Sequence, residues 1–293
     1  MTEPPRDSMH IDDTWLLANV PFVSFVCDND ALYSMRFLSA GSEGLFGYAP
    51  EDFIDNRRYF AASTTCPEDL DIVDAHAEQA IAGGSPVVSR YRLVQASGEL
   101  LQVLLVAKAV HDENGESQAL AGVVVDLSRF PALQGPPGLL STLRPPARRR
   151  PPASRPAEID AGWAALQLPV NAFFVRNDEN YSACASCGST EELIGYSAED
   201  FKNSHKYKAA SAAYPPDLDV ADAYIEAAAA REGALTAARL RLVNSEGELV
   251  PVLVFARGAQ PPGFPEIGVA GATLDISHIP TLWGPFSVLP NQQ

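Results

Sequence analysis

The sequence contains little that would carry the protein into a membrane or onto a nucleic acid. Its strongly apolar stretches, such as LQVLLVAKAV at 101–110, are shorter than the roughly 20 residues needed to cross a bilayer. The first residues, MTEPPRDSMH, lack the basic start and apolar core of a signal peptide. The net charge of −16 argues against the basic surface that binds nucleic acid or anionic lipid. We therefore expect a cytoplasmic protein that contacts neither.

The chain contains an internal repeat. The heptapeptide GYAPEDF at 47–53 recurs as GYSAEDF at 195–201, an offset of 148 positions, and agreement on both sides of it indicates a duplicated domain. Phe25 and Tyr33 match Phe173 and Tyr181 in this register. We predict four segments: domain 1 at 11–130, a Pro- and Arg-rich linker at 131–158, domain 2 at 159–280, and a C-terminal tail at 281–293.

The cysteines do not predict a shared metal or disulfide site. None of Cys27, Cys66, Cys184 and Cys187 has a cysteine counterpart in the other copy, which disfavours a disulfide framework. The segment CASC at 184–187 has the spacing of a redox or zinc half-site, but a second Cys or His pair is missing nearby. We expect no metal site.

Each copy has the same predicted order of elements. A short leading helix precedes a two-stranded hairpin, and short helices follow that end at Gly47 or Gly195. A longer helix begins at PEDLD or PPDLD, and three alternating strands complete the copy. The predicted fold is α+β: two domains, each with a five-stranded antiparallel sheet and helices on one face. The space between sheet and helices is a natural pocket.

Four kinds of segment recur in the same order in both copies. They are GLFGYAPEDF and ELIGYSAEDF, then CPEDLD and YPPDLD, then SGEL and EGEL at a strand turn, and finally VVVDLS and ATLDIS. In this order the chain resembles the PAS domain family of sensory modules, twice over. The resemblance implies the fold described above, with a small molecule or cofactor bound in the pocket or with another such domain as a pairing partner. Cys66 and Tyr214 stand where the family commonly has histidine.

The resemblance bears on two cofactors. Haem-binding members of the family carry a haem-ligating histidine on the long helix, where this chain has His76 in copy 1 and Tyr224 in copy 2. His76 is therefore either a haem ligand or a packed or surface histidine. The flavin-adduct branch needs a cysteine shortly after Gly-Tyr, and Arg58 and Lys206 stand near that place. We expect no cysteinyl-flavin adduct, and the cofactor remains unknown.

Several polar and aromatic residues are candidate ligand contacts. Tyr59 and Tyr207 recur with the same AAS segment after them, and a ring with a polar tip suits either a pocket wall or a buried core. Arg58 and His205 precede them and would meet an anionic ligand or remain in water. His76 and Tyr224, on the long helices, complete the set.

Two tryptophans are candidate interface residues. Trp15 and Trp163 lie on the predicted leading helices, and aromatic residues carry much of the energy of interfaces. They would contact a second copy or a partner protein, or alternatively pack on the sheet of their own domain.

The sequence predicts a sensor rather than an enzyme. No Ser/His/Asp set, Cys/His set or Gly-rich phosphate loop recurs in the copies. Since the two copies and the linker account for nearly all residues, we expect no output domain. We expect a tandem PAS signalling protein that binds a small apolar or aromatic molecule and acts by contact with a partner or by self-association as a dimer. The alternative is a ligand-free adaptor that acts by dimerisation or partner docking.

Overall fold

The computed structural model of the chain describes residues 11–143, 155–202 and 206–291. Both halves have the predicted α+β fold, with one antiparallel sheet each. The elements of the first half are α1 Asp13–Asn19, β1 Val23–Asp28, β2 Met35–Leu38, α2 Gly41–Phe46, α3 Leu70–Gly83, β3 Val87–Val94, β4 Leu100–His111, β5 Ser117–Asp126 and β6 Gly138–Thr142. Those of the second half are α4 Ala161–Gln167, β7 Asn171–Val175, β8 Ala183–Gly188, α5 Thr190–Ile194, α6 Ala198–Phe201, α7 Leu218–Ala229, β9 Leu235–Val243, β10 Leu249–Ala259 and β11 Gly268–Asp275.

The two sheets have the same topology. Their strand orders are β2-β1-β5-β4-β3-β6 and β8-β7-β11-β10-β9, so in each sheet the first strand of the domain, β1 or β7, pairs with a strand from near its end, β5 or β11. The long helices α3 and α7 pack on one face of their sheets. Each follows a single 3-10 turn that starts with proline, at Pro67–Asp69 and Pro215–Asp217, because proline fits the first turn of a helix, where its missing N–H is not needed.

The leading helices begin at the same kind of cap. The carboxylate of Asp12 accepts a hydrogen bond of 2.7 Å from the backbone N–H of Trp15, and that of Asp160 accepts one of 2.8 Å from Trp163. An aspartate at this position satisfies an N–H that the helix itself leaves without a partner. Both predicted leading helices are therefore present, and the same interaction starts both.

The first sheet has six strands, one more than the five expected. Part of the segment assigned to the linker folds back: the 3-10 turn Pro131–Leu133 anchors it, and β6 pairs with β3. The second domain has a similar return, in which the backbone N–H of Leu289 donates to the carbonyl of Ala237 at 2.8 Å. The reason is a repeat beyond the predicted boundaries, LQGP at 133–136 and LWGP at 282–285. Its leucines, Leu133 and Leu282, are fully buried.

Two buried arginines lie against these returning segments. Arg90 on β3 and Arg239 on β9 are 3% and 4% exposed. The Nε of Arg239 donates to the carbonyl of Leu282 at 2.6 Å, and its terminal nitrogen donates to the carbonyl of Ala132 at 3.2 Å. Since Ala132 belongs to the first half and Leu282 to the second, this one side chain joins the two.

The halves share a continuous core on the sheet faces opposite α3 and α7. One buried cluster includes residues of both sheets and of both leading helices. Helix α1 packs on β7 of the other half, and α4 packs on β1 and β5 of the first half. The rings of Phe130 and Phe255 meet across this core with their centroids 5.8 Å apart. Each leading helix therefore contributes to the packing of both domains.

Two findings bear on the expected absence of membrane and metal contacts. None of the helices in the described part of the chain is long and apolar enough to cross a bilayer. Within the same residues, no group of three or more His, Cys, Asp and Glu side chains could hold a metal ion. Cys184 and Cys187 lie on β8, and both pack at the edge of the core that the two halves share.

Candidate functional site

A cavity of about 90 Å³ lies between the sheet and the helices of the first domain. Its walls come from β1 to β5, from α3 and from the segments between β2 and α3, and they are mainly aliphatic and aromatic. The polar side chains among them are Cys27, Tyr33, Thr64, Thr65, His76 and Tyr91. No Asp, Glu, Lys or Arg is among the described residues that line this cavity. The site is therefore apolar, with a few polar atoms at its edge.

His76 lies in the wall of this cavity, on α3. The residue is 2% exposed, and its Nδ1 lies 2.8 Å from the hydroxyl oxygen of Ser89 on β3. Its Nε2 is buried and has no hydrogen-bond partner among the described residues. Burial lowers the pKa of His76 from 6.5 to about 3, because the charged imidazolium would lose its hydration. The ring is therefore neutral at physiological pH.

The sequence left open whether His76 is a haem ligand or a packed or surface histidine, and the structure places it within the buried, apolar face of α3. Its neighbours Ala77 and Ala80 are buried at 3% and 0% exposure. Small side chains let a helix approach a sheet closely, so the longer imidazole reaches Ser89 on β3. Periodicity alone could not show this, because it does not give the distance between α3 and the sheet.

The first cavity does not fit haem. Sites for drug-sized ligands usually have volumes of roughly 300–1,000 Å³, and this cavity measures about 90 Å³. His76 offers a free Nε2, but the macrocycle would have to displace the side chains that form the walls. Arg58 and Lys206, which stand near the place that the resemblance gives to a flavin-adduct cysteine, lie over tyrosine rings and are not among the described residues that line the cavities.

The second domain has a cavity of about 120 Å³ in the same place. Tyr224 on α7 lines it at the position of His76, and burial raises the pKa of this tyrosine. One end of the cavity is polar: the side-chain oxygen of Asn171 accepts hydrogen bonds from Ser186 at 2.9 Å and Thr190 at 2.7 Å. The second cavity thus combines a buried phenol with a small hydrogen-bonded cluster.

The walls of the two cavities differ at matched positions. The pair His76 and Ser89 is replaced by Tyr224 and Ala238 in the repeat register. At the polar end, Asn171, Ser186 and Thr273 stand where the first domain has Val23, Leu38 and Val124. The cavities therefore have the same location and different chemistry.

Tyr33 and Tyr181 are cavity residues that the sequence analysis did not single out. Both line their cavities, and both have positive φ angles, 49° and 45°, which are uncommon for bulky side chains. Burial, followed by the negative charge of Asp74 or Asp222, raises the pKa of each tyrosine. Their recurrence just before β2 and β8 was the available signal.

Tyr59 and Tyr207 lie in aromatic clusters beside the cavities. Tyr59 packs on Tyr48 with ring centroids 4.8 Å apart, and Tyr207 packs on Tyr196 at 5.2 Å. The guanidinium of Arg58 lies 5.3 Å from the Tyr59 ring centre. None of these residues is among the described residues that line either cavity.

The remaining candidate at this site, His205, lies outside the described residues. Its neighbour Lys206 holds its ammonium 5.0 Å from the Tyr207 ring centre and 3.3 Å from the carboxylate of Asp200. This cation thus occupies the same place over its tyrosine as Arg58 does in the first domain.

Trp15 and Trp163 lie between the two domains. The ring of Trp15 makes an edge-to-face contact with Phe174 of the second domain, with centroids 5.4 Å apart. Trp163 packs on the shared core, and its indole nitrogen is buried without a hydrogen-bond partner in the part of the chain that the structure describes. Both side chains therefore contribute to the contact within this chain, and their role towards a second molecule stays a prediction.

A family model described as PAS fold matches residues 36–124, and no curated protein matches the chain. One similar solved structure is the N-terminal domain of a diguanylate cyclase with PAS/PAC sensor from Marinobacter aquaeolei: 21% identity over 36% of this chain and 95% of that chain, with a TM-score of 0.33. A PAS domain from Colwellia psychrerythraea shares 19% identity over 36% of this chain and 86% of its own, also with a TM-score of 0.33. An RNA-binding light-oxygen-voltage receptor shares 15% identity over 89% of this chain and 97% of its own, with a TM-score of 0.33.

Proposed function

Because the chain belongs to the PAS fold family through residues 36–124, we propose that it is a tandem sensor that binds a small molecule between sheet and helices. Binding would change a surface that a partner protein reads. The observation that carries the proposal is the presence of one cavity at the same place in each domain. Concave, mostly apolar sites with a few polar groups are the usual form of small-molecule sites.

The strands that form the cavities offer a route for the signal. On β7, Phe173 faces the second cavity while the next residue, Phe174, packs in the shared core. On β1, Cys27 faces the first cavity, and the residue before it, Val26, packs in the shared core. Adjacent residues of a strand point to opposite faces, so displacement of a cavity wall acts directly on the packing between domains.

A ligand would shift this packing only if it bound one arrangement of the two domains more tightly than another. The readout we propose is a protein contact in the cytoplasm, by a partner or a second copy. The net charge of −16 disfavours nucleic acid as the target, and the proposal involves no catalytic step.

The first experiment is an absorption spectrum of the purified full chain, followed by mass spectrometry of a denaturing extract. Variants that fill one cavity each, Ala77→Phe in the first and Ala221→Phe in the second, serve as matched controls, since both alanines line cavity walls. We expect a discrete organic molecule that is lost from one variant and kept by the other. Circular dichroism checks that both variants fold.

Two results would contradict a ligand-binding sensor. One is recovery of the same molecule from both filled variants together. The other is an empty extract combined with no thermal stabilisation of the chain by any member of a small-molecule library.

The cavity sizes support a second candidate function, a ligand-free adaptor. Volumes of about 90 and 120 Å³ are below those of ordinary ligand sites. If the adaptor function holds, both filled variants should bind the partner or a second copy as the natural chain does. Loss of that binding on filling one cavity would favour the sensor.

A further inference from the structure

We propose that the cavity of the first domain takes a small, uncharged, largely apolar molecule whose single hydroxyl or ring N–H group hydrogen-bonds with Nε2 of His76. The inference rests on the proposed function and adds to it the class of ligand and the domain that binds it. It follows from the surroundings of one side chain, from the charge of the cavity and from its volume.

The Nε2 atom of His76 is a buried polar atom without a partner among the described residues. The Nδ1 atom is already 2.8 Å from Ser89, and the residue is only 2% exposed. Most buried polar atoms in proteins have a hydrogen-bond partner, and leaving one without a partner costs stability. Since His76 lines the cavity, a bound molecule can supply the missing hydrogen bond.

The contact between Nδ1 and Ser89 allows Nε2 either to donate a hydrogen bond to the ligand or to accept one from it. If the hydroxyl of Ser89 donates to Nδ1, the proton of the neutral ring is on Nε2, which then donates to the ligand. If Nδ1–H donates to the hydroxyl oxygen, Nε2 accepts from the ligand. A hydroxyl group fits either arrangement, and a ring N–H fits the second.

The cavity favours an uncharged ligand. Its described lining contains no carboxylate, lysine or arginine, and burial holds the pKa of His76 at about 3, so the ring stays neutral. A charged ligand would lose its hydration without gaining an opposite charge, which is costly.

The volume limits the ligand to at most one ring. An engineered apolar cavity of about 150 Å³ admits benzene, and this cavity measures about 90 Å³. Met35 lies in the wall, and its unbranched side chain can adjust to a slightly larger molecule.

The second cavity lacks the same feature. Tyr224 stands in place of His76, and Ala238 stands in place of Ser89, so the imidazole and its orienting hydroxyl are both replaced. A ligand selected by the His76 contact should therefore bind the first domain alone.

Isothermal titration of the full chain with phenol tests the inference, with toluene as a probe of similar size that cannot form the hydrogen bond. We expect phenol to bind at least tenfold more tightly than toluene. In His76→Leu the preference should disappear, and in the matched variant Tyr224→Phe it should remain. In the natural chain, the ¹⁵N signal of His76 Nε2 should shift with phenol and not with toluene, which provides a readout even if His76→Leu does not fold.

Equal affinity for phenol and toluene, a preference that survives His76→Leu, or no binding of phenol would overturn this inference. The sensor function would still stand if the extract of the natural chain contained a discrete molecule that Ala221→Phe loses, because that molecule would belong to the second cavity. The two failures are therefore distinguishable.

Discussion

The two domains share their supporting interactions and differ in their cavities. In the first, the Nε of Arg92 donates to Asp69 at 2.9 Å, and in the second Arg241 donates to Asp217 at 2.8 Å. The aromatic clusters, the cation over one tyrosine of each, and the buried arginine on β3 or β9 also recur. The cavity walls, by contrast, differ: Tyr224 of the second domain stands at the position of His76 of the first. After duplication the scaffold was maintained while the cavity chemistry diverged, as expected if the domains came to recognise different molecules.

The largest effect should come from the core that the domains share. Phe174 is fully buried and contacts Trp15 of the first domain and Phe264 of the second. Phe174→Ala should lower the free energy of unfolding by about 3–5 kcal/mol and leave a single transition, because both domains lose packing. Urea denaturation followed by tryptophan fluorescence and by circular dichroism measures both.

The neighbouring residue is the control for this prediction. Phe173 faces the second cavity, so Phe173→Ala should weaken mainly the second domain. The transitions followed by fluorescence and by circular dichroism should then no longer coincide. If Phe174→Ala produced two transitions and Phe173→Ala only one, the shared core would not couple the domains as described.

Removing the carboxylate of each matched ion pair should have a smaller effect than Phe174→Ala, of the same size in both domains. The carboxylates of Asp69 and Asp217 are 3% and 4% exposed, whereas their arginine partners are about one-third exposed. Each Asp→Ala change removes the buried carboxylate partner of a partly buried guanidinium and should cost about 2–3 kcal/mol, below the value for a fully buried pair. Glu68, 3.9 Å from Arg92, is 73% exposed and adds little. Equilibrium denaturation should give the same loss for both, and Gln79→Ala, on the exposed side of α3, should have almost no effect.

The smallest effect depends on pH and should appear in the first domain alone. Burial lowers the pKa of His76 from 6.5 to about 3, so between these values the unfolded chain takes up a proton that the folded chain does not. The stability is therefore present above pH 6.5 and falls as the pH is lowered. From pH 7.5 to pH 5 this histidine should remove about 2 kcal/mol from the free energy of unfolding.

Denaturation of the natural chain and of His76→Gln at both pH values measures how much of the pH dependence of the free energy of unfolding comes from His76. The titratable groups that line the same cavity, Cys27, Tyr33 and Tyr91, do not interfere, because burial raises the pKa of each one. The Tyr224→Phe variant of the second domain should keep the pH dependence of the natural chain. An unchanged pH dependence in His76→Gln would show that the imidazole is hydrated in the folded state.

The fold was predictable from the sequence because it depends on patterns that the duplication shows twice. Strand alternation, proline at the start of the long helices and aspartate at the leading helices all recur, and the α+β architecture is confirmed. The sixth strand was missed because the segment around Gly138 has no alternation and is fixed instead by the distant contact of Leu133 with the core.

The candidate site was predictable only in part. His76 and Tyr224 line cavities, whereas Tyr59 and Tyr207 pack beside them. Helical spacing identifies an apolar face, but it does not show which side chain reaches the sheet. That depends on the size of the neighbouring side chains: the small Ala77 lets α3 lie close enough for His76 to reach β3. Tyr33 and Tyr181 adopt a backbone conformation that the identity of a tyrosine does not signal.

The shared core also affects how the chain is made. Phe255, which meets Phe130 in that core, is synthesised 125 residues later. At roughly 5–20 residues per second, the ribosome needs about 6–25 s to complete the second domain. During this time the apolar sheet face of the first domain opposite α3, which later packs in the shared core, remains uncovered. Substitutions on this face should therefore act first on the yield of the nascent chain, before any difference is visible in the finished protein.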